Sequence, residues 1–283
     1  MKATKTPKKR MKPSVFMKKY GRIIFGAMIL SVIFFMAIFC DLVTDQDPYE
    51  INLKKDHEPW TEVNPLGTDL MGRDIFARLC YGAKNTLIVA IGTVAFQIVV
   101  GAMVGVACGY YYKLEMVLMR LLEAYDMIPN LLLLMMMASI FGNGIPNMIL
   151  ALGVGGIGGI AKTIRNQVLS LKQKEFVESA KAMGAKDTRI MYIHILPQLT
   201  SYLTVRFSSG LAGNVLSMTS LSYLGVGLDP MVASWGGMVS DAQLYLFSTP
   251  HEVLWPGLAI SLTVFGFTLM GDGIRDLLDP RLR

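Results

Sequence analysis

The feature that most constrains this chain is a series of apolar runs long enough to cross a lipid bilayer. The run at residues 23–43 has about the 20 residues that a transmembrane helix needs. Further apolar runs lie at residues 86–109, 114–140, 148–161, 200–226 and 254–271. Inside a bilayer, backbone groups must be hydrogen-bonded within a helix or around a closed barrel, and no strand alternation is visible. The sequence therefore predicts an all-α membrane protein with about six transmembrane helices.

The charged residues between these runs are distributed unevenly. Residues 1–22 carry nine lysines and arginines and no acidic residue, and residues 162–189 carry seven basic residues. Residues 41–85 instead contain nine aspartates and glutamates against five lysines and arginines. Because basic loops stay on the cytoplasmic side, we expect both termini in the cytoplasm, a basic cytoplasmic tail at 1–22 and an extracytoplasmic loop at 44–85.

The basic tail has competing interpretations. It could bind nucleic acid, but the apolar run that follows it at once favours a tail held at a membrane surface, so no nucleic-acid partner is expected. A cleaved signal peptide is disfavoured because the apolar run is too long and Phe39 stands where cleavage needs a small residue. We therefore expect residues 23–43 to be retained as the first transmembrane helix.

A polar segment between two apolar runs has the pattern of a helical hairpin. Its first helix is predicted from apolar residues at helical spacing, which are Phe176, Val177, Ala180 and Met183. Gly184 permits a sharp reversal, Asp187 is the predicted N-cap of the second helix, and Pro197 is expected to end it. The competing interpretation is an ordinary loop between two transmembrane helices.

The spacing of certain residues in this hairpin carries a family resemblance. These residues are Glu178, Ser179, Ala180, Gly184, Leu196 and Pro197. The pattern resembles the coupling loop of the permease subunits of ABC importers, although Ser179 and His194 stand where the family pattern has alanine and isoleucine. The resemblance implies a type I ABC importer permease fold, with a permease core at 86–283 and a cytoplasmic coupling loop at about 162–199.

The same resemblance implies a set of partners. In the family, the coupling loop fits a groove on a separate ATP-hydrolysing subunit; here Glu178 would offer a carboxylate, Ala180 would allow close approach and Gly184 would set the turn. The implied assembly contains a second homologous permease subunit, two ATP-binding cassette subunits and an extracytoplasmic solute-binding protein. It would lie in the lipid bilayer of a bacterial or archaeal cytoplasmic membrane.

A second motif lies in the predicted outer loop. Its residues are Gly67, Thr68, Asp69, Gly72, Arg73 and Asp74. The two glycines predict turns, and Arg73 can pair with Asp69 or Asp74, so the residues alone indicate an ordered, exposed loop. The string resembles a segment of the dipeptide, oligopeptide and nickel branch of the importer permeases.

Charged residues also lie at one end of the apolar run 114–140. Arg120 and Glu123 are three apart on one helical face and are expected to form a structural ion pair near the membrane interface. Pro129 should kink or break the helix. An alternative is an ion- or proton-coupled secondary carrier without an ATPase partner, which would use Arg120, Glu123 and Asp126.

The sequence contains no pattern of a common enzyme site. A phosphate-binding loop is absent, so ATP and Mg²⁺ are expected on partner subunits, and no zinc-protease or nucleophile-elbow motif is present. The spacing of Cys40, Cys80 and Cys108 indicates neither a metal site nor a disulfide. We therefore expect a translocation subunit without enzymatic activity or a cofactor of its own, for peptides or a related solute such as nickel.

Overall fold

The computed structural model describes residues 13–278, and in this part of the chain every regular element is helical. The helices are α1 (Pro13–Ile38), α2 (Cys40–Val43), α3 (Ile75–Tyr110), α4 (Tyr112–Asp126), α5 (Asn130–Phe141), α6 (Ile145–Lys172), α7 (Glu175–Ala182), α8 (Asp187–Arg189), α9 (Thr200–Tyr223), α10 (Trp235–Ala242) and α11 (His251–Leu278). Short 3₁₀ turns cover Leu53–Lys55, Leu196–Leu199 and Gln243–Tyr245, and a π-helix covers Ile190–Ile195. Most of the predicted basic tail, residues 1–12, lies outside the described residues.

The described helices confirm the prediction of an all-α membrane protein. By length and composition, the helices able to cross a membrane are Tyr20–Ile38, α3, α6 and α11, and the bent pair α4 and α5 adds a fifth span if it is counted as one. The remaining predicted span, α9, is 24 residues long. Its serines and Asn214 make it too polar to qualify by composition. α9 is a sixth transmembrane helix if the other helices shield its polar side chains from lipid.

Several boundaries differ from the predicted ones. α1 ends at Ile38, before the predicted end of the first span. α3 begins at Ile75 instead of residue 86, because the Asp74 carboxylate accepts a hydrogen bond from the Ala77 N–H at 2.6 Å and caps the helix. α6 continues to Lys172, so the polar segment before α9 is shorter than the predicted 162–199.

The α3–α6 contact forms the centre of the bundle. Two glycines at four-residue spacing on α3, Gly101 and Gly105, let the two backbones approach closely. A Cβ atom at Gly105 would lie 2.7 Å from the Ala161 carbonyl oxygen, and one at Gly101 would lie 2.8 Å from Ile160 Cγ2. On α6, a Cβ at Gly155 would lie 2.6 Å from Leu134 Cδ2, whereas no atom lies within 4 Å of a Cβ at Gly159.

Gly105→Val should destabilise the isolated chain in detergent by several kcal/mol. The added side chain would collide with the α6 backbone, and overpacking typically costs about 1–3 kcal/mol or more where backbone cannot move. Gly159→Val is the matched control, because its Cβ meets open space on the same pair of helices. Thermal unfolding of both variants measures the difference, and equal midpoints would contradict the α3–α6 packing.

A polar contact ties α9 into the bundle. The Gln97 amide on α3 donates to the Leu152 carbonyl of α6 at 2.9 Å and exchanges hydrogen bonds of 3.2 Å with Asn214 of α9. Both side chains are buried. Asn214 and Ser208, which is also buried, therefore face other helices and not an open cavity. The amides instead satisfy each other inside the bundle.

The bent connection between α4 and α5 lies at the predicted proline. The two helices meet at 99°. Pro129 is the residue before α5, where its missing N–H costs no helical hydrogen bond. The kink predicted from Pro129 is thus confirmed as a sharp break.

Candidate functional site

Two polar segments lie at opposite ends of α3. The outer segment, residues 44–74, leads directly into the first turn of α3, and the coupling segment, residues 173–199, packs against its last turn. The contact at the last turn is a hydrogen bond of 2.5 Å from the Tyr110 hydroxyl to Asp187. A helix of 36 residues is about 54 Å long, which exceeds the hydrocarbon thickness of about 30 Å, so α3 is long enough to hold the two segments on opposite sides of a membrane.

The coupling segment has the predicted order of helix, glycine and second helix. α7 ends in a turn in which the Gly184 N–H bonds to the Lys181 carbonyl at 2.9 Å and the Ala185 N–H bonds to the Ala180 carbonyl at 3.1 Å. Gly184 has φ +79°, a left-handed conformation that glycine adopts without the cost of a Cβ. The reversal predicted at Gly184 is confirmed.

Two details of the second helix differ from the prediction. The N-cap residue is Lys186, and Asp187 instead starts α8 and accepts the Tyr110 hydroxyl. Pro197 does not end the helix, because it lies in the first turn of a 3₁₀ segment that continues into α9. A proline in the first turn costs no helical hydrogen bond, because the backbone N–H groups there have no partner within the helix.

The underside of the coupling segment is a packed apolar surface. Val177 and Ala180 of α7 are 0% and 2% exposed, and they share a cluster with Ile190, Ile195 and the buried residues of α3 and α6. Ala180 therefore packs inward against its own chain. The role expected for it, close approach to another subunit, does not fit this position.

The opposite face of the coupling segment is exposed and partly apolar. Met183, Tyr192 and Ile193 are 80%, 61% and 58% exposed. A Cβ at Gly184 would have no atom of this chain within 4 Å. Large apolar side chains exposed on an otherwise polar surface are typical of a protein-binding site.

The other sequence-predicted docking residues are divided between the two faces. Glu178, Ser179 and Pro197 are exposed, and Leu196 is half-buried. The sequence pattern placed Met183 on the apolar stripe of the first helix and did not identify Tyr192 and Ile193 as exposed. No local sequence signal identifies the last two, because the π-helix that buries Ile190, Met191 and Ile195 and leaves Tyr192 and Ile193 outside is visible only in the structure.

The outer segment is organised around a buried carboxylate. Asp69 accepts hydrogen bonds from the Arg73 Nε at 2.7 Å and from the backbone N–H groups of Met71 and Arg73 at 2.9 Å and 3.0 Å. Arg73 Nη2 reaches Asp241 at 3.1 Å, and Arg78 Nε lies 3.6 Å from Asp69. Arg73 and Arg78 are each 1% exposed, so the expected exposed loop is in fact folded into the protein.

The remaining motif residues hold this fold in place. Gly67 and Gly72 have φ +82° and +69°, and a Cβ at Gly72 would overlap the Asn52 carbonyl. Thr68 accepts a hydrogen bond from the Glu58 N–H at 2.9 Å. Burial raises the pKa of Asp74 above its usual range, against the opposing effect of its bonds to the backbone N–H groups of Ala77 and Phe76.

The outer segment is also attached to α11. His57 Nδ1 lies 2.6 Å from the Glu252 carboxylate, which is 3% exposed. The His57 ring lies 4.4 Å from the Tyr245 ring. Together with the Arg73–Asp241 pair, these contacts connect residues 44–74 to α10, to the 3₁₀ turn at Gln243–Tyr245 and to α11.

Within the described part of the chain, four of the five charged side chains on α4 form ion pairs, and Lys113 is the exception. Arg120 Nη1 lies 3.2 Å from Glu123, Lys162 Nζ lies 2.5 Å from Asp126, and Arg165 of α6 pairs with Glu115. The Arg120 and Glu123 side chains are 83% and 50% exposed, so their pair contributes little to stability. A cavity of about 390 Å³ lies between α4 and α6 at these residues.

Histidine, cysteine and acidic side chains, the usual metal ligands, are scattered through residues 13–278. No cluster of three or more His, Cys, Asp or Glu side chains with metal-binding geometry occurs there. The three cysteines are buried and free. Within these described residues, the features that stand out are therefore the exposed face of the coupling segment and the folded outer segment.

Comparison of the sequence with known proteins finds one family of membrane transport components and relatives named as transport permeases. The family described as binding-protein-dependent transport system inner membrane component matches residues 97–283. The chain is 33% identical over 268 residues to the dipeptide transport system permease protein DppC of Alkalihalophilus pseudofirmus, covering 94% of this chain and 88% of that protein. It is 37% identical over 219 residues to the glutathione transport system permease protein GsiD of Pectobacterium atrosepticum, covering 77% and 73%. The GsiD protein of Salmonella paratyphi A is 34% identical over 277 residues, covering 95% and 89%.

Proposed function

The chain belongs to the family of binding-protein-dependent transport system inner membrane components, and from that membership we propose that it is a permease subunit through which an ATP-driven ABC importer moves short peptides. The proteins named for dipeptide and glutathione transport support peptides as the solute class. The chain itself is a translocation subunit without enzymatic activity. Its sequence contains no phosphate-binding loop, so ATP and Mg²⁺ are bound by partner subunits.

The observation that carries this proposal is the two-faced coupling segment. Its underside is packed on α3 and α6, and its outer face exposes Met183, Tyr192 and Ile193 beside the open space at Gly184. Such a segment moves as one body with the transmembrane helices when a partner bound to its outer face moves. We assign that partner as an ATP-hydrolysing subunit.

The proposed assembly contains this chain, a second homologous permease, two ATP-binding cassette subunits and an extracytoplasmic solute-binding protein. ATP can drive transport only if the nucleotide-loaded subunits bind the inward-facing and outward-facing states with different affinity. The coupling segment transmits that difference, because it is the part of the described chain that combines an anchored underside with a free apolar face.

The proposed orientation places the coupling segment and both termini in the cytoplasm of a bacterium or archaeon. The outer segment then lies outside the cytoplasmic membrane. The basic residues of 162–189 and the acidic excess of 41–85 support this orientation.

Uptake of a labelled dipeptide distinguishes an ABC importer from an ion-coupled carrier. In cells that depend on this chain, uptake should stop when ATP is depleted and should continue when a protonophore collapses the proton gradient while ATP is maintained. Cells that lack the chain provide the background. Uptake that follows the proton gradient and survives ATP depletion would contradict the proposal.

A further inference from the structure

A second cavity, the α6–α9–α11 groove, lies near the coupling segment. Its volume is about 700 Å³, which is within the range of small-ligand sites. Its polar lining includes Thr163, Gln167, Arg206, Ser209, Asp272 and Arg275. Gln167 lies close to the end of α6, and Arg206 lies close to the start of α9, so the groove opens at the end of the bundle that carries the coupling segment.

The groove contains charges of both signs that are not neutralised by the described part of the chain. Ion pairs among the described side chains involve other residues, and none includes Arg206, Asp272 or Arg275. The Arg206 Nε is inaccessible to solvent and has no hydrogen-bond partner. The rest of the Arg206 guanidinium lines the groove and is available to bind an anionic ligand.

The combination of charges favours one class of ligand. A guanidinium binds a carboxylate or a phosphate with paired hydrogen bonds. Asp272 would repel the phosphate of an anionic lipid, whereas it would attract an ammonium group. A short peptide with free termini carries a carboxylate and an ammonium group, so it matches both signs of charge in the groove.

We propose that this groove is a peptide subsite on the cytoplasmic half of the translocation route, with Arg206 binding the peptide carboxylate and Asp272 the peptide ammonium group. Arg275 lines the same groove and adds positive charge at its exposed end. The proposal rests on the proposed importer function. It adds a chemical preference for unblocked peptides within this chain, separate from selection by a solute-binding protein.

Protection of an engineered cysteine tests the subsite in the complete importer. The buried cysteines Cys40, Cys80 and Cys108 are first replaced by alanine, and Ser209→Cys is introduced in the groove. Inside-out membrane vesicles are treated with 2-sulfonatoethyl methanethiosulfonate, with and without dialanine. At a dialanine concentration about ten times its half-protecting value, labelling should slow by roughly tenfold. N-acetyl-dialanine amide, which lacks both charges, should not protect.

Variants of Arg206 separate a binding role from a structural one. Arg206→Gln should raise the half-protecting dialanine concentration by roughly 10- to 100-fold, because a hydrogen bond to a charged group is lost. Arg206→Lys should recover part of the protection, since it keeps the charge without the planar fork. Arg22→Gln is the matched control, because Arg22 is exposed and pairs with Asp276 on α11 outside the groove.

The outcomes distinguish this subsite from the proposed function. Labelling that dialanine leaves unchanged, in a complex that retains its ATP-binding subunits and hydrolyses ATP, would overturn the subsite and leave the importer standing. Protection by added phosphatidylglycerol and not by dialanine would also overturn it, in favour of a lipid site. A wild-type chain that fails to assemble with any ATP-binding subunit would remove the importer and the subsite together.

Discussion

Gly184→Arg should abolish ATP-coupled uptake while leaving the chain folded and inserted in the membrane. No atom of this chain lies within 4 Å of a Cβ at Gly184, so the arginine has room within the described structure. Its internal cost is the left-handed conformation at φ +79°, about 1–2 kcal/mol. The larger effect falls on the docked partner, because a long charged side chain would project from the proposed binding face.

Gly184→Asn is the control for the backbone cost. Asparagine tolerates the left-handed region and is short, so this variant should keep most of the uptake. Membrane fractions and peptide uptake are measured for both variants. Normal uptake by Gly184→Arg would show that the turn does not face a partner.

Asp69→Ala should destabilise the protein by about 3–5 kcal/mol, the range for removing one partner of a buried ion pair. The substitution would leave Arg73 and Arg78, each 1% exposed, without their nearest carboxylate. It would also leave the backbone N–H groups of Met71 and Arg73 without the hydrogen bonds that they donate to Asp69. Thermal unfolding in detergent and cleavage of the outer segment by protease should both reveal the loss.

Asp45→Ala is the matched control in the same outer segment. Asp45 is exposed, and exposed substitutions usually change the free energy of unfolding by less than about 0.5 kcal/mol. Equal unfolding midpoints for the two variants would contradict the buried network around Asp69.

The sequence predicted the helical class and the turn at Gly184 because both depend on local signals. Apolar runs of membrane length indicate helices, and a glycine between two helical patterns indicates a reversal. The close contact at Gly101 and Gly105 was also predictable, because small residues at four-residue spacing are typical of helix packing in membranes. The inward position of Ala180 depends instead on how α7 rotates against α3 and α6.

The burial of the outer segment could not be predicted from its residues alone. Its composition is polar, and polar segments are usually exposed. The partners that bury it come from distant parts of the chain: Asp241 is 168 positions from Arg73, and Glu252 is 195 positions from His57. Only the fold brings these pairs together, and the same is true of the charges that line the α6–α9–α11 groove.

Co-purification tests the central claim most directly, which is that the coupling segment connects this chain to ATP-hydrolysing subunits. The tagged chain is solubilised in mild detergent, and the proteins that remain bound are identified. We expect a second permease and ATP-binding subunits, in a complex that hydrolyses ATP. A homo-oligomer without any nucleotide-binding partner would contradict the account.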